Sequence, residues 1–388
     1  MINLLLLYDQ MNTTTEVNIS GTLSIFDDGN HVIRIMQSKC VSREDLEWCD
    51  ACYANRPSSI YMVRIGEALK NSGRVFMALY DDDLLDLPKG NSGRWKKKYV
   101  MKCLHLLDIV ITCNPLLKSK FELYSSYPKY VNLHTHICEE DIKTVPEIRD
   151  KVRLLYAAGV DHTELFETLI KPSLDRLSEK YGNRISLTLI GVNPNLSGLR
   201  NRDWIRQIPT LPYDKYNIFM KENEFDVGLS PLFDTPFSNK KYFNKFFEYS
   251  KNGITGIYSN HLPYTFVIKD KKNGLLVENT VEDWYRVICY AIDNINNMKE
   301  IVRTAQKQLR EQFSLDAIRE DIHKEIDLFI ELHRNKKPVE YFRSPIKEAI
   351  FEYRCKYHQL MSHLYSDGFR ETLGQVLERI NKKTNEQA

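Results

Sequence analysis

The sequence predicts an α/β protein: two parallel-sheet, Rossmann-like domains facing a cleft, followed by a helical extension. Three observations predict it. Short β-rich runs alternate with helical patterns from residue 2 to about residue 295, which is the signature of βαβ units. A polar, charged stretch, Glu139–Lys151, interrupts the series near its middle and a fresh series begins after it. Beyond Asn297 the strand pattern stops and only helical periodicity continues. The 388 residues allow two or three domains at about 150 residues each. We place them at 1–145, 146–312 and 313–388. The competing arrangement, one long doubly wound sheet, leaves no cleft.

The elements follow in order. Strands are predicted at Ile2–Tyr8, His31–Gln37, Cys52–Ala54, Arg74–Tyr80, Asp108–Cys113 and Tyr130–Ile137, with helices at Ile60–Asn71, Trp95–Leu107 and Pro115–Tyr124. The second series opens with the strand Val152–Ala158 and continues at Ile185–Val192, Phe225–Leu232, Ile254–Ser259 and Gly274–Val277. Its helices are predicted at Tyr213–Lys221, Tyr242–Lys251 and Val281–Ile295, and Asp161 with Glu164 three residues on suggests a capping box. In the last part Ile346, Ile350, Tyr353, Tyr357, Leu360 and Leu364 form one heptad-like stripe. Phe369, Leu373, Val376 and Ile380 form a second. Each is too short to stand alone in water, so a hairpin is expected, covered by itself, by the body or by a second copy in a homodimer.

Composition excludes several classes. Lys plus Arg number 54 against 52 Asp plus Glu, a net charge of +2, so no global basic field for nucleic acid exists. The apolar start Ile2–Tyr8 lacks a basic flank and falls far short of the roughly 18 residues of a spanning helix. A cytoplasmic location is therefore expected. The eight cysteines are read as free thiols, and the lone pair Cys49-x-x-Cys52 lacks the second pair that a zinc site wants.

The chemistry is expected in Phe225–Asn279. A buried strand ends at Pro231, a polar loop delivers lysines, and a helix begins near Tyr242. A helix amino terminus with its free N–H groups suits a phosphate. Lys241 and Lys245, four apart, fall on one face and add charge toward a diphosphate. Glu248, one turn deeper, can accept hydrogen bonds from sugar hydroxyls. The alternative is a solvated amphipathic helix whose lysines and glutamate only face water. Asp81, Asp82 and Asp83 follow a strand; one carboxylate can position an acceptor hydroxyl or act as a base, or the three can form a capped solvated loop. Arg94, Lys96, Lys97 and Lys98 with Trp95 and Tyr99 make a basic-aromatic patch, either a contact for anionic lipid headgroups or a solvated helix start. His134 and His136 are read as structural.

These residues carry a resemblance. Phe247-Glu248-Tyr249, Gly253–Ser259 and Asn273–Val277, in this order, resemble the donor domain of GT-B glycosyltransferases, the retaining family 4 type (glycosyl transferases group 1). The likeness spans Val152–Ile295 well and Arg74–Asn114 loosely. It implies a GT-B fold and transfer of a sugar, with retention, from a nucleotide-diphosphate sugar to a glycan or lipid-linked acceptor in polysaccharide or glycoconjugate synthesis; a contact with the inner membrane face is expected only through the Arg94–Lys98 patch. It implies that Glu248 binds the ribose and that Gly159, Lys241, Lys245 and Tyr249 also serve the donor. Asp81, Asp82 and Asp83 are then the catalytic candidates, and neither metal nor cofactor is expected. Lys240 stands where the family's first glutamate usually is, and Gly159–His162 holds no Lys or Arg. A sugar-nucleotide epimerase and a non-catalytic assembly partner remain as alternatives.

Overall fold

The computed structural model describes residues 1–87, 93–125, 129–132, 136–147, 149–333 and 335–361. The chain forms two compact units. The first contains Met1–Leu133 together with the segment from Ile322 onward, and the second is His134–Asp321.

In the first unit the strands are β1 (Ile2–Tyr8), β2 (His31–Gln37), β3 (Ala51–Asn55), β4 (Val75–Tyr80), β5 (Ile109–Thr112) and β6 (Lys129–Asn132). They form one sheet in the order β2-β1-β3-β4-β5-β6, every neighbouring pair parallel. β3, β4 and β5 are buried along their whole length, as near-continuous apolar runs must be when helices cover both faces. β2 lies at an edge and alternates, leaving Val32 and Ile35 exposed. Polar caps start the helices: Asn12 accepts from the Thr15 amide, Ser59 from Met62 and Asn114 from Leu116, with Pro115 at the first helical position. Ser42 and Asp45 form a capping box.

In the second unit the strands are β7 (Val152–Ala157), β8 (Ile185–Ile190), β9 (Ile205–Ile208), β10 (Val227–Ser230), β11 (Thr255–Ser259) and β12 (Leu275–Val277). The sheet order is β12-β11-β10-β7-β8-β9, again all parallel. Counted within the unit this is 3-2-1-4-5-6, with β7 first, and the chain reverses direction of winding between β7 and β10. The amino ends of those two strands are tied by Asp226. Its carboxylate receives the Arg153 amide at 2.9 Å, the Arg153 guanidinium, and the buried Lys299 ammonium at 2.6 Å. Burial alone raises the Asp226 pKa, but these hydrogen bonds and charges outweigh it and hold it below the usual aspartate value.

Several expectations are corrected. Asp161 does not cap a helix: a 3₁₀ turn, Val160–His162, follows Gly159, which stands at the cap position without a side-chain bond. The helix expected from Tyr242 begins at Asn244. The strand expected over Tyr130–Ile137 ends at Asn132, and His134 lies outside the described residues. Helices Thr13–Phe26 and Arg43–Trp48 and strand β9 had no sequence signal strong enough to predict them. The C-terminal part is helical, with a last helix over 345–361. Its predicted stripe faces outward: Ile346, Ile350, Tyr353, Tyr357 and Leu360 are all exposed. A different face docks. Phe351 is buried against Tyr61, Trp95 and Tyr99, and His358 stacks on Trp95 at 5.3 Å. The second stripe lies outside the described residues, as does Leu364.

Candidate functional site

In open α/β sheets, ligands sit beyond the carboxyl ends of the strands at the point where the order reverses. In the second unit that point is flanked by the loop after β7, Ala158–His162, and by the segment from Pro231 to the helix Asn244–Lys251.

Glu248 is the centre of this site. Lys245, three residues earlier on the same helix face, donates to both of its carboxylate oxygens at 2.8 Å. Tyr216, on the helix Tyr213–Glu222, donates its hydroxyl to Glu248 Oε1. Burial, reinforced by the Glu248 charge, holds the Tyr216 phenol protonated far above ordinary pH. Lys245 and Glu248 remain partly solvent-accessible, at 24% and 20% of their side-chain surface, so both can still meet a ligand. Lys241 is not carried on the helix. It follows the 3₁₀ turn Ser238–Lys240 in extended conformation, with its ammonium 5.5 Å from the centre of the Phe237 ring.

The loop after β7 lies at the same end of the sheet. Gly159 is followed so tightly by Asp161 that a Cβ on it would lie 2.5 Å from the Asp161 carboxylate. His162 is the residue that sequence reasoning missed. Its imidazole pKa is lowered, first by burial and then by the positive charges of Lys241 and Lys245, with Asp161 opposing. His162 and the two lysines thus share one electrostatic environment, although 79 positions separate His162 from Lys241 in the chain. Tyr216 was also missed. Neither residue lies in the motif segment, so only the fold brings them in. Lys240, at the place of the family's first glutamate, turns back to the Pro236 carbonyl at 2.7 Å.

Tyr249 lines the cluster from below, its ring centre 5.6 Å from the Lys245 ammonium. It is fully buried, its hydroxyl donates to the Leu229 carbonyl at 2.9 Å, and its ring fills the space that Gly228 leaves open. Its role is in the core rather than at the ligand surface.

The first unit reverses its strand order between β1 and β3, and there a concavity of ≈ 150 Å³ is lined by Asp9, Asn12, Asn55, Arg56, Ser58 and Lys96 among others. Asp9 accepts from the Ser58 amide at 3.0 Å and from the Ser38 and Ser59 hydroxyls. The three candidate carboxylates are bound to cations. Arg56 donates to Asp81 and, at 2.7 Å, to Asp82, while Asn18 donates to Asp81 at 3.2 Å. Asp83 is buried and receives Lys120 at 2.6 Å. Asp81 and Asp82 keep part of their surface open; Asp83 does not.

The basic-aromatic patch has its aromatic half occupied, because Trp95 and Tyr99 pack on the last helix. Lys97 approaches Asp86 at 3.9 Å, and Lys98 lies 4.8 Å from the Tyr99 ring centre. His136 is held low in pKa by burial and by Arg319. Cys49 and Cys52 are buried, and burial raises both thiols. Among the described residues, no helix is long and apolar enough to cross a membrane.

No protein-family model matches the chain, and no curated protein matches it by sequence. Solved structures do. Anabaena HepE, in complex with UDP and glucose, is similar over 84% of this chain and 100% of its own, with a TM-score of 0.63 at 10% identity. Sucrose-phosphate synthase from Thermosynechococcus elongatus is similar over 86% and 99%, with a TM-score of 0.61 at 11% identity. A glycosyltransferase from Rickettsia africae is similar over 86% and 99%, with a TM-score of 0.59 at 12% identity. Two six-stranded parallel sheets with flanking helices match these structures, and a helical C-terminal part is present as well. The chain has the fold of the GT-B glycosyltransferases.

Proposed function

We propose that the protein is a glycosyltransferase that takes its sugar from a nucleoside-diphosphate donor held by the second unit. The observation that carries this reading is the cluster that Tyr216 makes with Lys245 and Glu248, the latter two on the helix that follows β10 at the strand-order reversal. The lysines and the amino end of the Asn244–Lys251 helix receive the diphosphate. Glu248, held by Tyr216 and Lys245, accepts from the ribose hydroxyls. Lys245 has three N–H donors and so can bridge Glu248 and a phosphate at once. As the glycosidic bond breaks, negative charge grows on the leaving diphosphate, and these fixed cations stabilise it. Gly159 lets the chain approach the donor without a side chain in the way.

The acceptor, a glycan or lipid-linked saccharide, is assigned to the first unit, at the concavity beside Asp9 and Arg56. Asp81 and Asp82 orient its hydroxyl; Asp83, sealed by Lys120, holds the loop. Retention at the anomeric carbon follows from the family 4 resemblance, and no metal or cofactor is assigned to the transfer. Arg94, Lys96, Lys97 and Lys98 face an anionic acceptor or the inner membrane face of the cytoplasm, and the outward stripe Ile346–Leu360 is the surface for a second copy. Uridine is the first nucleoside to test, because HepE and an alpha-glucosyltransferase of similar fold are both seen with UDP.

Calorimetry with UDP and GDP tests the donor site. One nucleotide is expected to bind at one site per chain, and Lys245→Ala is expected to weaken it by about tenfold or more, the scale of one charge-assisted contact of about 1.5–3 kcal/mol. A folded Lys245→Ala variant that binds the nucleotide and transfers sugar as the parent does would remove the assignment.

A further inference from the structure

A second cluster, in the first unit, belongs to no step above. Asp28 lies in the turn after helix Thr13–Phe26, His31 opens β2, and His323 and Asp327 come from the helical turn His323–Asp327 of the returning C-terminal segment. The His31 side chain is fully buried, and its two ring nitrogens stand 2.9 Å from Asp28 Oδ1 and 3.1 Å from Asp327 Oδ1. His323 Nε2 lies 3.3 Å from the Ile25 carbonyl, which only accepts. That places the His323 proton on Nε2 and turns the lone pair of Nδ1 inward. There it meets Asp28 Oδ2 at 3.3 Å and Asp327 Oδ2 at 3.9 Å. These acceptors need a positive centre among them, which either a second imidazole proton or a metal ion supplies.

We propose that this centre is a divalent transition metal, zinc by preference, bound by His31, His323 and Asp28. Two imidazoles with carboxylate oxygen are a zinc-type donor set rather than a magnesium or calcium one. Asp28, His31 and His323 each offer a ligand atom, all within 4.8 Å of one another. A tetrahedral zinc with bonds of about 2.1 Å needs edges of roughly 3.4 Å, so small rotamer changes close the set. The outer shell is already in place. Asp327 accepts from His31 Nε2–H and leaves Nδ1 for the metal, and the Ile25 carbonyl fixes the His323 tautomer in the same way. Asn30 donates to both Asp28 oxygens and fixes that carboxylate, each oxygen keeping a further lone pair. The ion joins the edge of the first sheet to the segment that returns after the second unit, and its role is structural.

The test uses the full chain without an affinity tag, stripped with a chelator and titrated with Co²⁺ and then Zn²⁺. One equivalent of Co²⁺ is expected to bind with the intensified visible bands of a four-coordinate nitrogen and oxygen site, to be displaced by Zn²⁺, and to raise the melting temperature. His323→Gln is expected to lose that equivalent and the thermal shift, and Asp327→Asn to weaken binding by about 10–100-fold as an outer-shell loss. Three results overturn the proposal: no saturable equivalent in the folded parent, undiminished uptake by His323→Gln, or a thiolate charge-transfer band that puts the metal on cysteine. If His323→Gln does not fold, the parent titration and its band pattern decide alone. A parent that binds no metal leaves the cluster held by protons instead.

Discussion

Glu248 and Tyr249 are adjacent in the chain and serve opposite sides of one helix. A step of one residue turns about 100° around the axis, which takes Tyr249 from the ligand face into the core, where it meets Leu229 and Gly228. A step of three returns to the same face, so Lys245 and Glu248 pair. Spacing therefore made these two legible from the sequence, while Tyr249 was carried only by a family pattern. His162 and Tyr216 were illegible for a different reason. A lone histidine and a lone tyrosine carry no periodic signal, and only the fold brings Tyr216 to Lys245 and places His162 in the field of the lysines. The lysine field on His162 gives a direct check. Lys245→Met is expected to raise the His162 pKa toward its ordinary value, because one of the charges that lowers it is gone while burial remains. The imidazole is then protonated over a wider range on the acid side, which an NMR pH titration of that ring reads. A titration unmoved by the substitution would separate His162 from the lysines and take the loop after β7 out of the donor site.

At the scale of elements, strands buried on both faces announce themselves as unbroken apolar runs. β1 was placed to the residue, and β4, β7 and β11 to within one; β2, a half-exposed edge strand, was also placed to the residue, by its run of β-branched residues. β9 is a four-residue edge strand with half-exposed ends, too short for alternation to register. Helix Thr13–Phe26 is rich in Thr, Ser and Asn, which compete with helix for backbone bonds, and its cap at Asn12 is the one sequence feature that could have marked it. The link between Gly73 and the C-terminal segment was likewise invisible, because it depends on contact across the chain. Gly73 adopts φ +65°, and a Cβ there would lie 2.0 Å from the Asn335 carbonyl oxygen. Asn335 and Lys337 donate their amides to the carbonyls of Gly73 and Ser72, and Arg74 returns a guanidinium bond to the Lys337 carbonyl at 2.8 Å. Gly73→Ala is expected to cost more than about 2 kcal/mol, the left-handed penalty of roughly 1–2 kcal/mol plus the displaced carbonyl. Denaturant unfolding measures the loss. Hydrogen exchange is expected to show the Asn335 and Lys337 amides unprotected in the variant, and normal protection there would place the cost elsewhere.

For the molecule as a whole, the two units differ in how the chain supplies them. The second is one uninterrupted stretch, His134–Asp321, whereas the first is assembled from both sides of it. The returning segment buries Ile326, Ile330, Val339 and Phe351 in the first unit. At about 1.5–3 kcal/mol each, these four side chains contribute roughly 6–12 kcal/mol, comparable to the entire stability of an ordinary domain, about 5–15 kcal/mol. A chain ending at Asp321 is therefore expected to retain a folded second unit and lose the first. Limited proteolysis with mass spectrometry should leave a core near residues 134–321, and survival of the 1–133 region would show that the returning segment is dispensable. The same arrangement sets an order of events at the ribosome. The stretch up to Asp321 contains everything the later unit needs, so that unit can close as soon as it emerges. The earlier-made sheet must wait, partly uncovered, until some 30 further residues have left the exit tunnel, and the half synthesised first is finished last.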